Sequence, residues 1–425
     1  MDILSRRAFI GASLAGLGAS RVISAQETSV EVMPKGSEEA PFQPNTLFLT
    51  WQRDPTTTMT IQWVGSPGET SSTRIYYATA PTGAAMSIKP LVKPYPMCDL
   101  KIFRAELTEL KPDTDYFFRI GTQSPLYRFR TMPAKATDTI HFISGGDCGT
   151  NSHTIANNIQ AARQDPMFAV IGGDLGYDDG KSVATSLAFI KNYSKTMIGR
   201  DGRLIPMITC IGNHEVDGGF GKTREKAPFF YALFDGLYSE KGFATLDFGD
   251  YLSLVLLDTG HTTAIAGEQT DWLETTLKNR ADHPNVMVVN HVPAYPSYRN
   301  AKPVAPVLGK IGVGGTGEDN RRHWVPLFDK YRVPVVIEHH DHTFKRTRPL
   351  LDGMSHDNGV LYLGDGSWGR LRTPNKPEKI PLIAKTSREY HLSLHRIQGE
   401  ERFHLALDEN GRVMDVCRTG QRTKA

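Results

Sequence analysis

From Thr46 to about Met132 the chain shows short apolar runs with polar positions interleaved, most clearly at Thr58–Val64, Thr73–Tyr77 and Asp115–Ile120. Pro, Gly and Asp turns separate the runs, and helical periodicity is hard to find. The pattern predicts a β-sandwich. From Thr139 onward the pattern changes. Apolar runs at Ile140–Ser144, Phe168–Ile171, Ile205–Ile211, Tyr251–Leu257, Val286–Val289, Val333–Ile337 and Val360–Leu363 predict strands. Between them, stretches such as Gln269–Lys278 and Trp324–Tyr331 have helical spacing. That is an α/β layout. A length of 425 residues suits two domains.

Six of the seven later runs lead straight into polar clusters: Asp147, Asp174, Asn213-His214-Glu215, His291, His340-Asp341-His342 and Asp365. Ligands of α/β sheets bind outside the carboxyl ends of the strands, so the fold should gather these groups at one rim. The glycines that precede most of them permit tight turns and close approach there. An Asp after a strand also serves commonly as a helix N-cap, and a single His is more often structural than catalytic. The whole set in order outweighs those readings.

As ligands, Asp147, Asp174, Tyr177, Asn213, His291, His340 and His342 offer carboxylate, phenolate and imidazole. Such donors suit a trivalent iron beside a divalent ion. Asp174 is the candidate bridge, because a carboxylate has two oxygens to share. If a helix begins at Asp174, Tyr177 three residues on shares its face. On an extended backbone, His340 and His342 likewise share a face. Two carboxylates and a phenolate, set against a trivalent and a divalent ion and one hydroxide, leave about one net positive charge, which favours an anionic phosphate ester. His214, beside Asn213, is placed to protonate a leaving alkoxide.

Gly146-Asp147-Cys148-Gly149, Gly173-Asp174-Leu175-Gly176-Tyr177, Gly212-Asn213-His214-Glu215, Val288-Val289-Asn290-His291 and His339-His340-Asp341-His342 resemble the five ordered motifs of purple acid phosphatases, a family of calcineurin-like metallophosphoesterases. Leu49–Pro55 and Met59–Trp63 resemble that family's N-terminal fibronectin III-like domain, as does the Leu107–Tyr116 turn-and-tyrosine stretch. The resemblance covers roughly residues 46–415. It implies a fibronectin III-like β-sandwich at 46–132, followed at 138–415 by a catalytic β-sandwich of two mixed sheets flanked by helices. It also implies Asp147, Tyr177 and His342 on a ferric ion, and Asn213, His291 and His340 on a second ion (iron, zinc or manganese). Asp174 bridges, and His214 is the general acid for attack by a metal-bound hydroxide on a phosphate monoester. A phosphodiesterase or pyrophosphohydrolase on the same centre, and a binding protein with a degenerate site, are the alternatives. The intact donor set argues against the last.

Two departures stand out. His339, preceded by Glu338, stands where the family usually has Gly; it either faces away or adds an imidazole near the site. The plant-type enzymes have a further histidine after the motif of His291, whereas this chain reads Val292–Arg299 without one, which makes Tyr295 and Arg299 the candidate phosphate contacts.

Residues 1–25 read as an export leader: Arg6-Arg7-Ala8-Phe9-Ile10 resembles the twin-arginine type, followed by an apolar run too short to span a bilayer and small residues at the end. No later run is apolar for long enough to cross a membrane. A periplasmic or secreted protein is the expectation. Residues 26–45, polar and rich in Pro and Glu, predict a linker. A formal charge of +3, without a dense Lys/Arg run, points to no nucleic-acid partner. The four cysteines match no zinc or redox pattern, and Cys148 reads as a small buried side chain.

Overall fold

The computed structural model describes residues 26–36, 41–136, 140–299 and 315–420. The leader therefore lies outside the described residues, as does the start of the catalytic segment at residue 138. The N-terminal sandwich faces a five-stranded sheet (Thr28–Val32, Ala84–Ile88, Ile75–Ala78, Asp115–Ile120, Tyr127–Arg130) against a four-stranded one (Phe48–Thr50, Met59–Gly65, Lys101–Leu107, Leu91–Pro94). Alternation does what the pattern predicts in Asp115–Ile120, where Tyr116, Phe118 and Ile120 are buried and their neighbours are not. Part of the expected linker is sheet instead: Thr28–Val32 pairs antiparallel with Ala84–Ile88. Val30 and Val32 stay exposed. Main-chain hydrogen bonds rather than a hydrophobic face hold this edge strand, which is why its composition reads as a linker.

The catalytic segment stacks two sheets. One runs Met207–Thr209, Ala169–Ile171, Ile140–Gly145, His391–Gln398, Glu401–Asp408, Val413–Thr419. The other runs Ala244–Phe248, Leu252–Leu256, Val286–Asn290, Val335–Glu338, Leu361–Asp365, Phe344–Thr347, Ile383–Ser387. The last strand of the first sheet continues to Thr419, beyond the expected limit at 415. The Gln269–Lys278 stretch lies in a helix, Glu268–Asn279, while Trp324–Tyr331 is a π turn, Asn320–Trp324, running into the helix Val325–Lys330.

The two domains share one continuous core. Trp51 of the sandwich lies edge-on to Phe168 and Phe248 of the catalytic domain, at 6.0 and 5.9 Å between ring centroids. Each such pair is worth about 0.5–1.5 kcal/mol beyond its buried area. The strand Met59–Gly65 is buried on both faces, although its pattern alternates. The reason is Gln62, which donates to Leu233 O (2.9 Å) and accepts from Arg104 Nε (2.7 Å). Arg104 also donates to Leu233 O (2.7 Å) and pairs with Asp235, so the sandwich caps the C-terminal end of the helix Pro228–Phe234.

Candidate metal centre

Parallel strands aim every predicted donor at the gap between the two sheets. Ile140–Gly145, Ala169–Ile171 and Met207–Thr209 deliver Asp147, then Asp174 and Tyr177, then Asn213 and His214. Val286–Asn290 and Val335–Glu338 deliver His291, then His340 and His342. Neither Asp147 nor Asp174 caps a helix. Asn151 caps Ser152–Arg163 and Ser182 caps Val183–Thr196, each accepting the backbone N–H of the third residue of its helix.

The donors form two groups. In the first, Tyr177 Oη lies 3.3 Å from Asp147 Oδ1 and 3.0 Å from His342 Nε2, and His342 Nε2 lies 3.1 Å from Asp147 Oδ1. In the second, His291 Nε2 lies 3.3 Å from Asp174 Oδ2, 3.2 Å from Asn213 Oδ1 and 3.1 Å from His340 Nδ1. Asp174 belongs to both, with ligand atoms within 4.8 Å of those of Asp147 and His342 and of those of His291 and His340.

These spacings suit metal ions. Ligand atoms about 2.0–2.2 Å from one ion, at right angles, stand roughly 3 Å apart. Asp174 Oδ2 is buried without a hydrogen bond, which is costly unless a cation is its partner. Electrostatics point the same way. Burial disfavours charge on His291, yet Asp174, with Asp147 behind it, lifts its pKa to about 9: the pocket draws positive charge. Burial and the same two carboxylates push the Tyr177 phenol well up, so a phenolate forms there only against a strong cation.

The local backbone differs from the expectation at two places. No helix begins at Asp174, and His340 and His342 are not on an extended strand. Asp147, Asp174, Tyr177, His340 and His342 all have left-handed φ, between 53° and 68°. Such a conformation costs roughly 1–2 kcal/mol for a residue with a Cβ, and its clustering at five of the seven donors marks a functional rim. A web of hydrogen bonds offsets the strain. Glu215 accepts from the amides of Asp174 (2.8 Å), Leu175 (2.7 Å) and Gly212 (2.8 Å). His340 N–H donates to Asp147 Oδ2 (2.7 Å), and His214 N–H to Asp174 Oδ1 (2.8 Å). His291 Nδ1–H donates to Gly172 O (2.9 Å), which leaves Nε2 as the ligating atom.

His214 sits at the open side, half-exposed, with its ring 4.2 Å from that of Tyr177. Its Nδ1 is 2.5 Å from Asp179 Oδ1, so the carboxylate orients the ring and leaves Nε2 for a substrate. The predicted substrate contacts divide. Arg299 lines a cavity of about 820 Å³ beside His340. Tyr295 does not line it; it is buried against Tyr362, with ring centroids 4.7 Å apart, and its carbonyl accepts from Lys345 Nζ (2.7 Å). Tyr298 lines the cavity in its place. His339, expected either to face away or to add an imidazole near the site, does not line the cavity either. It is buried beneath the strand ends, its Nδ1 3.0 Å from Asn290 O, its ring filling the space that Gly172 and Gly146 leave open. Glu338 is held by Lys345 and accepts from Ala294 N–H (2.6 Å).

Sequence reasoning missed several residues. Glu215 lies within the Gly212-Asn213-His214-Glu215 motif, but nothing in its position foretold three amide bonds. Asp179, Tyr298 and Arg372 carry no spacing signal. His261 is buried against His291 (centroids 5.6 Å), and its Nδ1–H donates to Gly219 O (3.0 Å), fixing the turn that bears Phe220. The free cysteines include Cys148, buried as expected.

Two sheets that gather seven such donors, one of them a shared carboxylate, define a dinuclear metallophosphoesterase-type centre. Residues 44–131 match the family profile of the purple acid phosphatase N-terminal domain, and residues 140–344 that of the calcineurin-like phosphoesterases. Purple acid phosphatase 21 of Arabidopsis thaliana is 23% identical over 324 residues, 74% of this chain and 69% of its own length. An uncharacterized Mycobacterium tuberculosis protein is 25% identical over 366 residues, covering 73% of this chain and 63% of its own length. The chain thus spans about two thirds of the length of these relatives. The fold matches that of a yellow lupin purple acid phosphatase with a TM-score of 0.67 at 15% identity, over 88% of this chain and 73% of that one. The chain belongs to the purple acid phosphatase family.

Proposed function

We propose that this protein is an exported acid phosphatase that hydrolyses phosphate monoesters at a dinuclear centre of ferric iron and a divalent iron, zinc or manganese ion. The observation that carries the reading is the pair of buried donor groups sharing Asp174, with His214 at their open side. Asp147, Tyr177 and His342 would hold the ferric ion, and Asn213, His291 and His340 the divalent one, with Asp174 available to both. When bound, the metal pair supplies Lewis acidity toward the phosphoryl oxygens and the attacking water. The chain supplies the rest. His214, oriented through Nδ1 by Asp179, delivers a proton from Nε2 to the leaving alkoxide. The carboxylates are each held by a backbone amide, so the centre is preorganised before substrate arrives.

The roomy cavity beside His340 favours a second reading, a phosphodiesterase or pyrophosphohydrolase on the same centre. Hydrolysis of a chromogenic monoester and of the matching diester by metal-loaded protein separates them. Fast monoester turnover supports the phosphatase; diester preference overturns it in favour of the second reading; no turnover of either removes both. Export rests on the Arg6-Arg7 leader, and no helix among the described residues is long and apolar enough to cross a membrane. Replacing both arginines by Lys should leave the protein inside the cell; unchanged export sinks the twin-arginine route.

A further inference from the structure

The cavity of about 820 Å³ meets the donor set only at His340. Asn213, His214 and Tyr177 do not line it, so it lies beside the reacting phosphoryl position rather than over it. A single phosphoryl group leaves most of such a volume empty. Its wall next to His340 carries two guanidinium groups, Arg299 and Arg372. Arg299 Nε donates to His340 O (3.1 Å) and is 4.0 Å from Asp341 Oδ1. Arg372 donates its backbone N–H to His342 O (2.7 Å), its Nε is 3.2 Å from His342 Nδ1, and its guanidinium lies 5.1 Å from the ring centre of Tyr298. Both side chains are thus anchored by Nε, while the terminal Nη groups of both have no hydrogen-bond partner among the described residues.

The backbone behind them is built to hold this arrangement. Asp341 accepts amides from three consecutive residues, Ser297 (2.5 Å), Tyr298 (2.8 Å) and Arg299 (3.2 Å), which leaves its charge largely committed to the main chain. The acidic residues that line the cavity, Glu318 and Asp319, belong to the 315–320 turn, and Glu318 is paired with Arg322 (2.7 Å). Two fixed guanidinium forks with open donors match the geometry of a phosphate.

We propose that Arg299 and Arg372 form an anion subsite that binds a second phosphate group of the substrate, distinct from the one hydrolysed, so that the preferred substrates are bisphosphorylated. This rests on the phosphoesterase reading above. The test compares a short-chain alkanediol bisphosphate with the matching hydroxyalkyl monophosphate, in wild-type metal-loaded protein and in Arg299→Ala/Arg372→Ala. The wild type should favour the bisphosphate on the order of tenfold in kcat/KM, mainly through KM. In the double variant that ratio should fall close to one, and Arg372→Lys should recover only part of it. Equal kcat/KM for the two substrates in the wild type, or a ratio unchanged in the double variant, overturns the proposal while leaving the phosphoesterase reading intact. Calorimetric binding of the corresponding bisphosphonate and monophosphonate covers the remaining case. If no ester is hydrolysed, the phosphoesterase reading falls; arginine-dependent preference for the bisphosphonate then still supports the subsite, and its absence overturns it.

Discussion

Gly172→Ala is the most searching test of how the centre is packed. Gly172 does not adopt left-handed φ, so its backbone accepts Ala, and any cost comes from the added methyl group alone. A Cβ built there falls within 3.0 Å of Cε1, Nδ1 and Nε2 of His339. The imidazole has nowhere to go: it is 1% exposed, its Nδ1 lies 3.0 Å from Asn290 O, and its other edge faces Gly146. Overpacking a closed core costs about 1–3 kcal/mol, and a clash of this depth belongs at the upper end. His339→Gly alone empties the same space and should cost about 2–4 kcal/mol. Combined, the new methyl group occupies part of the vacated volume. The double variant should therefore be about 2 kcal/mol more stable than the sum of the single effects predicts. Urea unfolding followed by tryptophan fluorescence measures all four corners of the cycle. Metal content provides a second readout, because Gly172 O accepts from His291 Nδ1: Gly172→Ala should loosen the second ion, and the double variant should regain it. Additivity within about 0.5 kcal/mol would refute the reasoning, since the ring of His339 would then not occupy the space over Gly172.

Four further outcomes are expected. His214→Ala should lower kcat by about 10²–10⁴ with both metals retained by elemental analysis, and Asp179→Asn by less; metal loss in His214→Ala would end its role as acid. On the proposed ferric site, Tyr177→Phe should abolish visible phenolate-to-iron absorption in iron-loaded protein; an unchanged spectrum places that tyrosine off the iron. Arg104→Ala removes the donor to Leu233 O and Gln62 and breaks a half-buried pair with Asp235, so about 2–3 kcal/mol should be lost, with both domains still unfolding in one transition. Separate transitions for the two domains would contradict the shared core. Lys93, whose pKa is lowered to about 8 by burial and by Arg104 against the pull of Asp235, binds its proton less firmly in the folded chain than in the unfolded one. The unfolded state therefore holds more protons above pH 8, and stability relative to Lys93→Met should rise from there towards the ordinary lysine range near ~10.4. A difference that stays flat over that window would show that Lys93 is not desolvated.

The donor set was legible in the sequence because strand ends are. An apolar run of four to seven residues that leads into a polar group, often through Gly, announces both a strand and what hangs from its end. Asp147, Asp174, Asn213, His291 and His340 could be placed at one rim on that ground. The two-sheet architecture was legible only through the family resemblance, since apolar runs do not say which strands pair. Local geometry was not legible at all. The left-handed φ of Asp174 and His340 goes with hydrogen bonds that their amides donate to Glu215 and Asp147, residues distant in the chain. The same holds for the substrate wall. Tyr295 and Tyr298 look interchangeable in sequence, yet Lys345 pins the Tyr295 carbonyl and Asp341 the Tyr298 amide, which sends one ring into the core and the other to the cavity. Residue types and their order determined which chemistry this chain carries. Contacts between segments far apart in sequence decided where each side chain points, because burial and hydrogen bonding are properties of neighbours in space.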